Sequence, residues 1–559
     1  MAEKYMIIDG IRCPFTDERN VLEVARNNGI DIPSLCYCES LSIYKACRLC
    51  IVEDANGKIV TSCSVVPEEG MEVYTNTPTV QKDRRMILEL LLGSHRIECT
   101  TCDKAGECKL LEYSVKYRAA APRSGNVYSR LPIDDSSVCL VRDPSKCVLC
   151  GQCVRMCEEV QGVKALQFYQ RGSSSFVAPV NNKSIADTNC VGCGQCVSVC
   201  PTGALMVRNN ISEMWKKIHD PRHKVVVQVA PAVRVGIGEA FGLPAGEPVM
   251  GKLVTALKRL GVDVVYDTNM AADLTIMEES HEFMERLKNG GPLPLYTSCC
   301  PGWIRHAENK HKALLPNISS CGSPMEMMGA LIRKQFKGER VHSVAIMPCT
   351  AKKYEAQREQ LDKDGVPVVD LVLTTVELIR MIKEANIDFA NLPESECDNP
   401  LGAFTGAGVI FGVTGGVTEA VIRHVLNDAS PDAMKQIAEC GVRGLEGTKI
   451  FEVTAGDLTI RIAVVSGLKN ADMLIAKIKA GAVKVDFVEV MACPNGCISG
   501  GGQPPATRKI KEKRNRGIFM ADDACDLKMS HDNPALDYVY NELLEGRAHD
   551  LLHVDYINQ

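Results

Sequence analysis

Residues 489–504 have the sequence EVMACPNGCISGGGQP, in which Cys493 and Cys497 lie in a turn rich in glycine and proline. An apolar, β-branched run precedes the turn and predicts a buried strand. Two further segments share this layout, TSCCPGW at residues 297–303 and MPCTAKKYE at residues 347–355. Cysteine thiolates that converge from strand ends make a cage for one iron–sulfur centre, here Cys300, Cys349, Cys493 and Cys497.

From residue 208 onward the chain alternates apolar runs with amphipathic stretches. The predicted buried strands are Val225–Val229, Val262–Tyr266, Leu293–Tyr296, Ser343–Met347, Ile460–Val465 and Val485–Val490. The helices predicted between them are Lys252–Leu260, Thr275–Leu287 and Val376–Ala385. Such alternation favours an α/β domain with open, mostly parallel sheets and helices on both faces. Ligands of these sheets bind beyond the carboxyl ends of the strands, where Cys300, Cys349 and Cys493 fall.

Residues 1–79 have the pattern of a small β-rich domain, similar to a β-grasp ferredoxin. Its predicted elements are strands Tyr5–Ile8 and Ile11–Phe15, helix Val21–Asn28 and a hairpin turning at Asn56-Gly57. A close pair of cysteines with two outliers resembles the plant-type ferredoxin arrangement and indicates a 2Fe–2S centre on Cys36, Cys47, Cys50 and Cys63. Structural zinc is the alternative, and Cys38, in the same loop, can replace Cys36.

Residues 80–140 begin with a predicted helix, Val80–Leu92, and continue into a cluster of candidate ligands. The spacing is one histidine followed by three cysteines: His95, Cys99, Cys102 and Cys108. A lone pair of cysteines two residues apart is often a zinc site. The full order resembles the histidine-ligated 4Fe–4S module of multi-cluster hydrogenases and respiratory NADH dehydrogenases, so we expect a 4Fe–4S domain here.

Residues 141–207 contain an internal repeat of closely spaced cysteines. Three thiolates within seven residues wrap one 4Fe–4S cube, and the fourth cysteine of each repeat reaches across to the other cube. The first predicted ligand set is Cys147, Cys150, Cys153 and Cys200. The second is Cys190, Cys193, Cys196 and Cys157. Zinc ribbons do not use this triple spacing, so the segment predicts a ferredoxin-like domain with two 4Fe–4S clusters.

The composition agrees with a metal-rich protein inside the cell. The 559 residues include 27 cysteines, and the net charge of −5 gives no reason to expect nucleic acid as a partner. The first residues lack the layout of a signal peptide, and no apolar run approaches the length of a membrane span. We therefore expect a cytoplasmic protein that is not bound to a membrane, with its cysteines on metal rather than in disulfides.

The three segments around Cys300, Cys349 and Cys493 resemble the active-site signatures of the iron-only (FeFe) hydrogenases, and the resemblance to their multi-cluster, clostridial type covers essentially the whole chain. It implies that residues 208–559 form the catalytic domain, with residues 506–559 wrapping around it. The reaction implied is the reversible reduction of protons to dihydrogen. In the family, the four cysteines hold a 4Fe–4S cube. Cys497 links the cube to a two-iron subsite with carbon monoxide, cyanide and an amine-containing dithiolate; the whole assembly is called the H-cluster.

The resemblance also implies a route for protons. It starts at the unligated thiol of Cys299, which apolar burial keeps neutral, and continues through Glu279, Ser319, Glu282 and Arg286. On a helix, Glu279, Glu282 and Arg286 lie three and four residues apart and share one face. By itself this spacing is more typical of a solvent-facing salt-bridge row. Only the resemblance favours the relay.

Further residues are assigned around the two-iron subsite by resemblance alone. Lys352 would donate to a cyanide, with main-chain help from Ala230, Pro231 and Pro348, while Met347 and Met491 flank the subsite. Three positions depart from the commonest family pattern: Ala232, Met325 and Cys321. The residues at these positions leave the cluster-ligating cysteines intact and change the side chains around the two-iron subsite.

The resemblance implies a soluble ferredoxin as electron partner and dedicated maturation proteins that install the two-iron subsite. Three alternatives remain open. The chain can be the catalytic subunit of an NADH-coupled, electron-bifurcating complex with further subunits, although it has no flavin or nucleotide motif of its own. It can be a non-catalytic iron–sulfur assembly or scaffold protein of the same descent, or a hydrogen sensor. The presence of Cys299, Glu279 and Lys352 favours catalysis.

Overall fold

Two units divide the chain in the computed structural model, which describes residues 4–121, 130–428, 430–455 and 458–557. The first unit comprises Met1–Val160, Lys164–Thr188 and Val199–Met206. The second comprises Gln161–Val163, Asn189–Ser198 and Val207–Gln559. Within the described ranges, every helix is too short or too polar to cross a lipid bilayer.

The first unit opens with a mixed sheet. Its strands are β1 (Lys4–Ile8), β2 (Ile11–Phe15), β3 (Ile51–Asp54), β4 (Ile59–Thr61) and β5 (Glu72–Tyr74), in the order β2-β1-β5-β3-β4. Helix α1 (Val21–Asn27) begins where the Asn20 side chain accepts a hydrogen bond from the Glu23 N–H at 3.1 Å. The predicted hairpin at Asn56-Gly57 is confirmed, because β3 and β4 pair antiparallel around it.

The rest of the first unit is built from short elements around long loops. They are α2 (Pro78–Gly93), α3 (Lys109–Lys116), α4 (Gln152–Arg155), β6 (Leu140–Arg142), β7 (Leu166–Tyr169), β8 (Phe176–Pro179) and β9 (Leu205–Val207). Buried Arg84 of α2 donates to the carbonyls of Leu49, Ile51 and Thr75, which fixes this helix on the sheet. Little regular structure surrounds the cysteine-rich loops, as expected where metal ligation holds a small domain together.

The second unit contains the predicted α/β domain. Its strands are β10 (Lys224–Val229), β11 (Val264–Asp267), β12 (Leu295–Tyr296), β13 (Val341–Met347), β14 (Leu371–Thr374), β15 (Thr448–Ala455), β16 (Leu458–Ser466) and β17 (Phe487–Met491). One sheet has the order β11-β10-β13-β14 and is parallel throughout. The other has the order β12-β17-β16-β15, with only the edge strand β15 antiparallel.

Both faces of each sheet are covered, which explains the continuous apolar strands. In β10, Val225, Val227 and Val229 pack into one core cluster while Val226 packs into another. In β16, Ile462 and Val464 pack into a third core cluster, while Ala463 and Val465 pack into a fourth. The open, mostly parallel architecture expected from the sequence is therefore confirmed.

The helices of the second unit flank these sheets or wrap around them. They are α5 (Gln195–Ser198), α6 (Ile211–Ile218), α7 (Met250–Leu260), α8 (Asn269–Asn289), α9 (Pro301–Lys310), α10 (Pro324–Gln335), α11 (Lys352–Glu355), α12 (Thr375–Glu384), α13 (Gly406–Val409), α14 (Gly416–Leu426), α15 (Pro431–Ile437), α16 (Leu468–Lys479), α17 (Arg508–Asp523), α18 (Ala535–Tyr538) and α19 (Ala548–Leu552). The predicted strands and helices are present with shifted ends. Strands β14 and β15 were not predicted. Of the helices of this unit before residue 506, only α7, α8 and α12 were predicted.

Candidate active site

Four cysteine thiols meet beyond the carboxyl ends of three strands. Strands β12 and β17 are parallel neighbours, so the loops that follow them leave the same edge of their sheet. Strand β13 of the other sheet supplies the third loop. Each of the four thiols interacts electrostatically with others of the group: Cys300, Cys349, Cys493 and Cys497. The structure thus brings together the cysteines that the sequence singled out.

The loop after β17 folds into a tight turn between its two cysteines. The Gly496 N–H donates to the carbonyl of Cys493 at 3.1 Å. Gly496 has φ +82°, and a Cβ at this position would lie 2.5 Å from the backbone nitrogen of Thr414. Only glycine fits this turn, which places the Cys497 sulfur beside that of Cys493.

The following three glycines allow close approach of backbone, as the sequence predicts. A Cβ on Gly500 would lie 2.1 Å from the Pro348 carbonyl oxygen, and one on Gly501 would lie 2.5 Å from the Cys193 carbonyl oxygen. Gly502 donates its N–H to Pro348 at 2.9 Å. These contacts fix the Cys497 loop against the loop that carries Cys349.

The donor set fits an iron–sulfur cluster. Burial, and after it the neighbouring thiols, raise the pKa of Cys349 to about 12 and hold those of Cys493 and Cys497 above the ordinary cysteine value. Four thiolates placed together would repel one another, so their ionisation requires bound positive charge between them. Four sulfur ligands are the usual set for a 4Fe–4S cluster. The Ala492 N–H donates to the Cys300 sulfur at 3.3 Å, a hydrogen bond of the kind that tunes such clusters.

A fifth thiol, Cys299, begins a row of proton-bearing groups. Although part of its surface is accessible, burial and then the nearby Glu279 carboxylate raise the pKa of this thiol well above the ordinary value. Glu279 lies on α8 and is 1% exposed. Burial, followed by the charge of Glu282, raises the pKa of Glu279 to about 8.

The contacts of Glu279 are loose. Among the described residues, neither carboxylate oxygen has a partner with good hydrogen-bond geometry. The Ser319 hydroxyl and the backbone of Ser298 nevertheless lie near enough to lower its pKa in part. A small rotation of the Glu279 carboxyl group would therefore form a hydrogen bond with the Ser319 hydroxyl.

The row continues through Ser319 and Glu282 to Arg286. The Ser319 hydroxyl donates to Glu282 Oε2 at 2.8 Å, and Arg286 Nη2 donates to Glu282 Oε1 at 2.5 Å. Arg286 also donates to the carbonyls of Pro292 and Pro316 near the surface. The side chains of Glu282 and Arg286 are 14% and 15% exposed. This face of α8 is therefore largely buried, unlike the solvent-facing row that its spacing alone would favour.

Lys352 lies next to the backbone of Cys299. Its ammonium donates to the Cys299 carbonyl at 3.3 Å and to Glu355 at 2.6 Å. Burial lowers its pKa and the Glu355 carboxylate raises it, with a net rise, so the side chain stays charged. Glu326 is buried beside this pair, and burial followed by Glu355 raises the pKa of Glu326 to about 8.

The remaining residues assigned to the subsite lie at strand ends. Ala230 and Pro231 follow β10, Met347 and Pro348 end β13, and Met491 ends β17. The Ala230 N–H already donates to Ile346 at 3.0 Å, and the two prolines have no N–H. Lys352 is therefore the hydrogen-bond donor among the residues assigned to cyanide. The methionines are buried and supply apolar surface.

Family comparisons match consecutive parts of the chain. "Iron only hydrogenase large subunit, C-terminal domain" matches residues 223–501, and "Iron hydrogenase small subunit" matches residues 508–559. The N-terminal matches are a 2Fe-2S iron-sulfur cluster binding domain (6–78), the NADH-ubiquinone oxidoreductase-G iron-sulfur binding region (84–123) and a 4Fe-4S dicluster domain (146–204).

Iron hydrogenase 1 of Clostridium pasteurianum is 38% identical to this chain, and the match covers 99% of the chain and 100% of that protein. The chain belongs to the iron-only hydrogenases. The NADP-reducing hydrogenase subunit HndD of Solidesulfovibrio fructosivorans is 40% identical over 100% of both chains. A solved variant of FeFe-hydrogenase HydA1 from Chlamydomonas reinhardtii is 39% identical with a TM-score of 0.55, covering 62% of this chain and 99% of that one.

The hydrogenase carries iron–sulfur domains before its catalytic domain. In the first, four thiols interact with one another: Cys36, Cys47, Cys50 and Cys63. A hydrogen bond with Cys47 is the main cause that lowers the pKa of Cys36 to about 6. The sulfur of Cys38 instead lies 3.3 Å from the Ser40 hydroxyl. The structure thus groups Cys36, rather than Cys38, with the other three.

Two further cysteine groups form in the first unit of the hydrogenase. Cys99, Cys102 and Cys108 interact with one another. His95 is buried, and burial followed by the charge of Lys146 lowers its pKa, so this imidazole is neutral at neutral pH. The second group unites both repeats as predicted, since the thiols of Cys147, Cys150, Cys153 and Cys200 interact.

The second cysteine triple lies within the catalytic unit. It consists of Cys190 and Cys193, on the loop that leads into α5, and Cys196, within α5. The Thr350 hydroxyl donates to the Gly192 carbonyl at 2.6 Å, and Gln195 Nε2 donates to the Ser499 carbonyl at 2.8 Å. This loop therefore packs directly on the active-site loops of the hydrogenase. Cys157, the predicted fourth ligand, lies in the first unit.

Several residues near the site were not found from the sequence. Glu489 of β17 is fully buried and accepts the N–H groups of Gly415 and Thr418 at 2.7 and 2.8 Å, at the start of α14. Within an apolar strand, this lone acidic residue was the available signal, because a buried carboxylate needs partners. Glu326 carries the same signal, as the lone acidic residue in the apolar start of α10, whereas His553 lies in the polar C-terminal stretch and has none.

Proposed function

We propose that this hydrogenase reversibly reduces protons to dihydrogen at the site lined by Cys300, Cys349, Cys493 and Cys497. One observation carries the proposal. A row of proton-bearing side chains leads from beside these cysteines toward the surface: Cys299, Glu279, Ser319, Glu282 and Arg286. An electron-transfer cluster needs no such row, whereas a reaction that consumes or releases protons inside the protein does.

The two innermost members of the row, Cys299 and Glu279, have protonation states that suit their positions. The raised pKa of Cys299 keeps it a neutral thiol, which can give a proton and take another from Glu279. With a pKa of about 8, Glu279 gains and loses a proton near neutral pH at little cost. The Ser319 hydroxyl passes the proton on to Glu282, and Arg286 holds that carboxylate in place at the solvent end.

The cofactor would be a 4Fe–4S cube held by the four cysteines, joined through Cys497 to a two-iron subsite with carbon monoxide, cyanide and an amine-containing dithiolate. When bound, this H-cluster supplies the electrons and the open coordination position for dihydrogen chemistry. The Lys352 ammonium would hold a cyanide. Ala230, Pro231, Pro348, Met347 and Met491 would enclose the subsite and exclude water.

Electrons would enter through accessory clusters on the N-terminal cysteines. We infer one 2Fe–2S and three 4Fe–4S clusters, within domains 1–79, 80–140 and 141–207 ahead of the catalytic domain 208–559. The packing of the Cys190–Cys196 loop on the active-site loops supports this order, because it places a ligand triple next to the site. Cys157 as its fourth ligand, and His95 as a ligand of the Cys99 group, remain predictions from the sequence.

A ferredoxin is the electron partner that we propose, because the N-terminal iron–sulfur domains would accept electrons from a small iron–sulfur carrier protein. A second candidate is a pyridine-nucleotide-linked complex, which the likeness to a relative named as an NADP-reducing hydrogenase subunit favours. Copurification from the native cell separates the two. Recovery of a flavin- and nucleotide-binding subunit with the chain would overturn ferredoxin as the sole partner.

Infrared spectroscopy of the matured protein tests the proposed site. Carbonyl and cyanide stretches should appear together with dihydrogen production. Protein made without the maturation proteins should contain the iron–sulfur cubes and make no gas. Gas production by that second preparation would remove the two-iron subsite from the proposal.

A further inference from the structure

Two reactive side chains lie beside the proton row without being part of it, the thiol of Cys321 and the imidazole of His553. Together with the carboxylate of Glu282, each offers one ligand atom, and these atoms all lie within 4.8 Å of one another. We propose that Glu282, Cys321 and His553 form a binding site for a zinc ion. Its effect on turnover, though not the binding itself, rests on the function proposed for Glu282.

The backbone holds two of these ligands in fixed positions. Cys321 and His553 are paired antiparallel in an isolated bridge. On either side of it, the Gly322 N–H donates to Leu552 and the Val554 N–H donates to Ser320, both at 2.7 Å. The C-terminal segment is therefore held by backbone hydrogen bonds to the loop that follows Ser319. Cys321 and His553 are adjacent before any ion binds.

The hydrogen bonds of His553 leave its Nδ1 unprotonated and so able to bind a metal. Its Nε2 lies 3.0 Å from Glu278 Oε2, and the Tyr540 hydroxyl donates to the other oxygen of Glu278 at 2.5 Å. Because a carboxylate only accepts, Nε2 carries the proton and Nδ1 keeps its lone pair. Zinc-binding histidines usually donate their second nitrogen to a carboxylate in this way. The Ser320 hydroxyl, 2.8 Å from Nδ1, would rotate aside.

Of the two carboxylate oxygens of Glu282, Oε2 is the one that could bind the ion. Arg286 occupies Oε1, whereas Oε2 lies 3.8 Å from the Cys321 sulfur. Binding would release the proton of the Cys321 thiol and form a zinc–thiolate bond. The nearby Glu278 carboxylate favours the added positive charge, and the guanidinium of Arg286 opposes it. Cysteine, histidine and glutamate are all common zinc ligands, with water as the fourth.

Zinc at this site would interrupt the proton row. Glu282 Oε2 is the atom that accepts the Ser319 hydroxyl at 2.8 Å and the Ser320 N–H at 3.0 Å. A metal on that oxygen would take the place of the Ser319 proton and add positive charge to the path. We therefore expect micromolar zinc to inhibit dihydrogen production reversibly.

Zinc K-edge X-ray absorption tests binding directly, because the edge is specific to zinc and the iron clusters do not interfere. Matured full-length enzyme with one equivalent of zinc chloride should show a single zinc–sulfur distance of about 2.3 Å with nitrogen and oxygen ligands. The sulfur distance should disappear in Cys321→Ser. The control Cys525→Ser, which removes a partly buried thiol outside the site, should retain it. An oxygen-only zinc shell in the wild type would overturn the site.

Inhibition is then measured in the same preparations. Cys321→Ser and His553→Gln should each raise the zinc concentration for half-inhibition at least about tenfold, while His549→Gln, whose ring stacks on His553 at 4.8 Å, should leave it unchanged. A chelator should restore activity, and magnesium should have no effect. Equal inhibition of all variants would overturn the site. A zinc–sulfur bond without inhibition would uphold the site and overturn the placement of Glu282 on the proton path.

Discussion

The Cys147 group of the first unit and the Cys300 group of the second have the same four donor atoms but different construction. In the first, three cysteines lie within seven residues, and Leu149 (φ 53°) and Gly151 (φ 71°) curl the backbone around them. In the second, three loops from two sheets converge. The thiols of the Cys147 group interact with one another and with Arg142, whereas a line of carboxyl groups starts beside the Cys300 group.

This contrast suggests what separates the electron carrier that we propose at the Cys147 group from the reaction site that we propose at the Cys300 group. Local spacing suffices to hold a cluster that only changes its charge. Chemistry on protons additionally needs groups whose pKa values lie near the working pH, and only a folded interior can place and tune them. The Cys300 group therefore lies inside an α/β domain, and the Cys147 group lies among loops.

Cys299→Ser gives the sharpest test of the contrast. Removing the thiol breaks the proton row at its first member and leaves every proposed cluster ligand in place. We expect turnover to fall by about 10³-fold or more, as for loss of a proton-transfer group, with iron content and infrared bands unchanged. Cys397→Ser is the control, since that thiol lies outside both groups. Near-normal turnover in Cys299→Ser would refute the relay.

Glu279→Gln should lower turnover by about 10²-fold, because an amide cannot carry the proton onward. The wild-type carboxyl group has a raised pKa of about 8, so it is protonated below that pH and ionised above it. Infrared difference spectra should therefore show a protonated carboxyl band that disappears as the pH rises through about 8 and that is missing in the variant. A band that disappears near pH 4, as for an exposed glutamate, would contradict the assigned environment.

Cys153→Ala tests the other side of the contrast. It should remove one cluster, lower the iron content, and slow turnover with a protein electron donor by about tenfold or more. Changing the outer-shell partners of a metal site already costs about 10–100-fold, and Cys153 is a direct ligand in our proposal. Exchange between dihydrogen and heavy water should persist, since that reaction needs the proton row but no external electrons. Loss of exchange together with normal donor-dependent turnover would reverse the roles that we assign.

Gly501→Ala should have the smallest effect, and on stability before activity. Its Cβ would lie 2.5 Å from the Cys193 carbonyl oxygen, and overpacking of this kind costs about 1–3 kcal/mol. The thermal midpoint of the matured enzyme should fall by several degrees. Gly106→Ala is the matched control, because nothing lies within 4 Å of its added methyl group. An unchanged midpoint for Gly501→Ala would show that the two loops are not in close contact.

Much of the fold could be predicted because its strands are buried on both faces and so have unbroken apolar runs, as in β10 and β13. Strand β15 was missed because it is an antiparallel edge strand with Lys449 and Glu452 among its residues. Its sequence, TKIFEVTA, mixes polar and apolar residues and so lacks the unbroken apolar run of the central strands. Strand β14 has only four residues and gives little signal.

The cysteines of the candidate site were predictable from spacing, but their surroundings were not. Spacing left Cys36 and Cys38 equivalent, and only the folded loop distinguishes them. Likewise, the spacing of Glu279, Glu282 and Arg286 fits an exposed face as well as a buried one. His553 reaches Ser320 through pairing between segments more than two hundred residues apart, which no local pattern contains.

The hydrogen bonds of Thr350 with Gly192 and of Gln195 with Ser499 bear on how a minimal catalytic fragment should be cut. A truncation that starts at residue 208, after the last ferredoxin-like cysteine, would remove residues 189–198, which pack on Gly501. The Thr350 hydroxyl and the Ser499 carbonyl would then be exposed to solvent. Engineers who shorten the chain should therefore retain that decapeptide, or replace its two bonds with new ones.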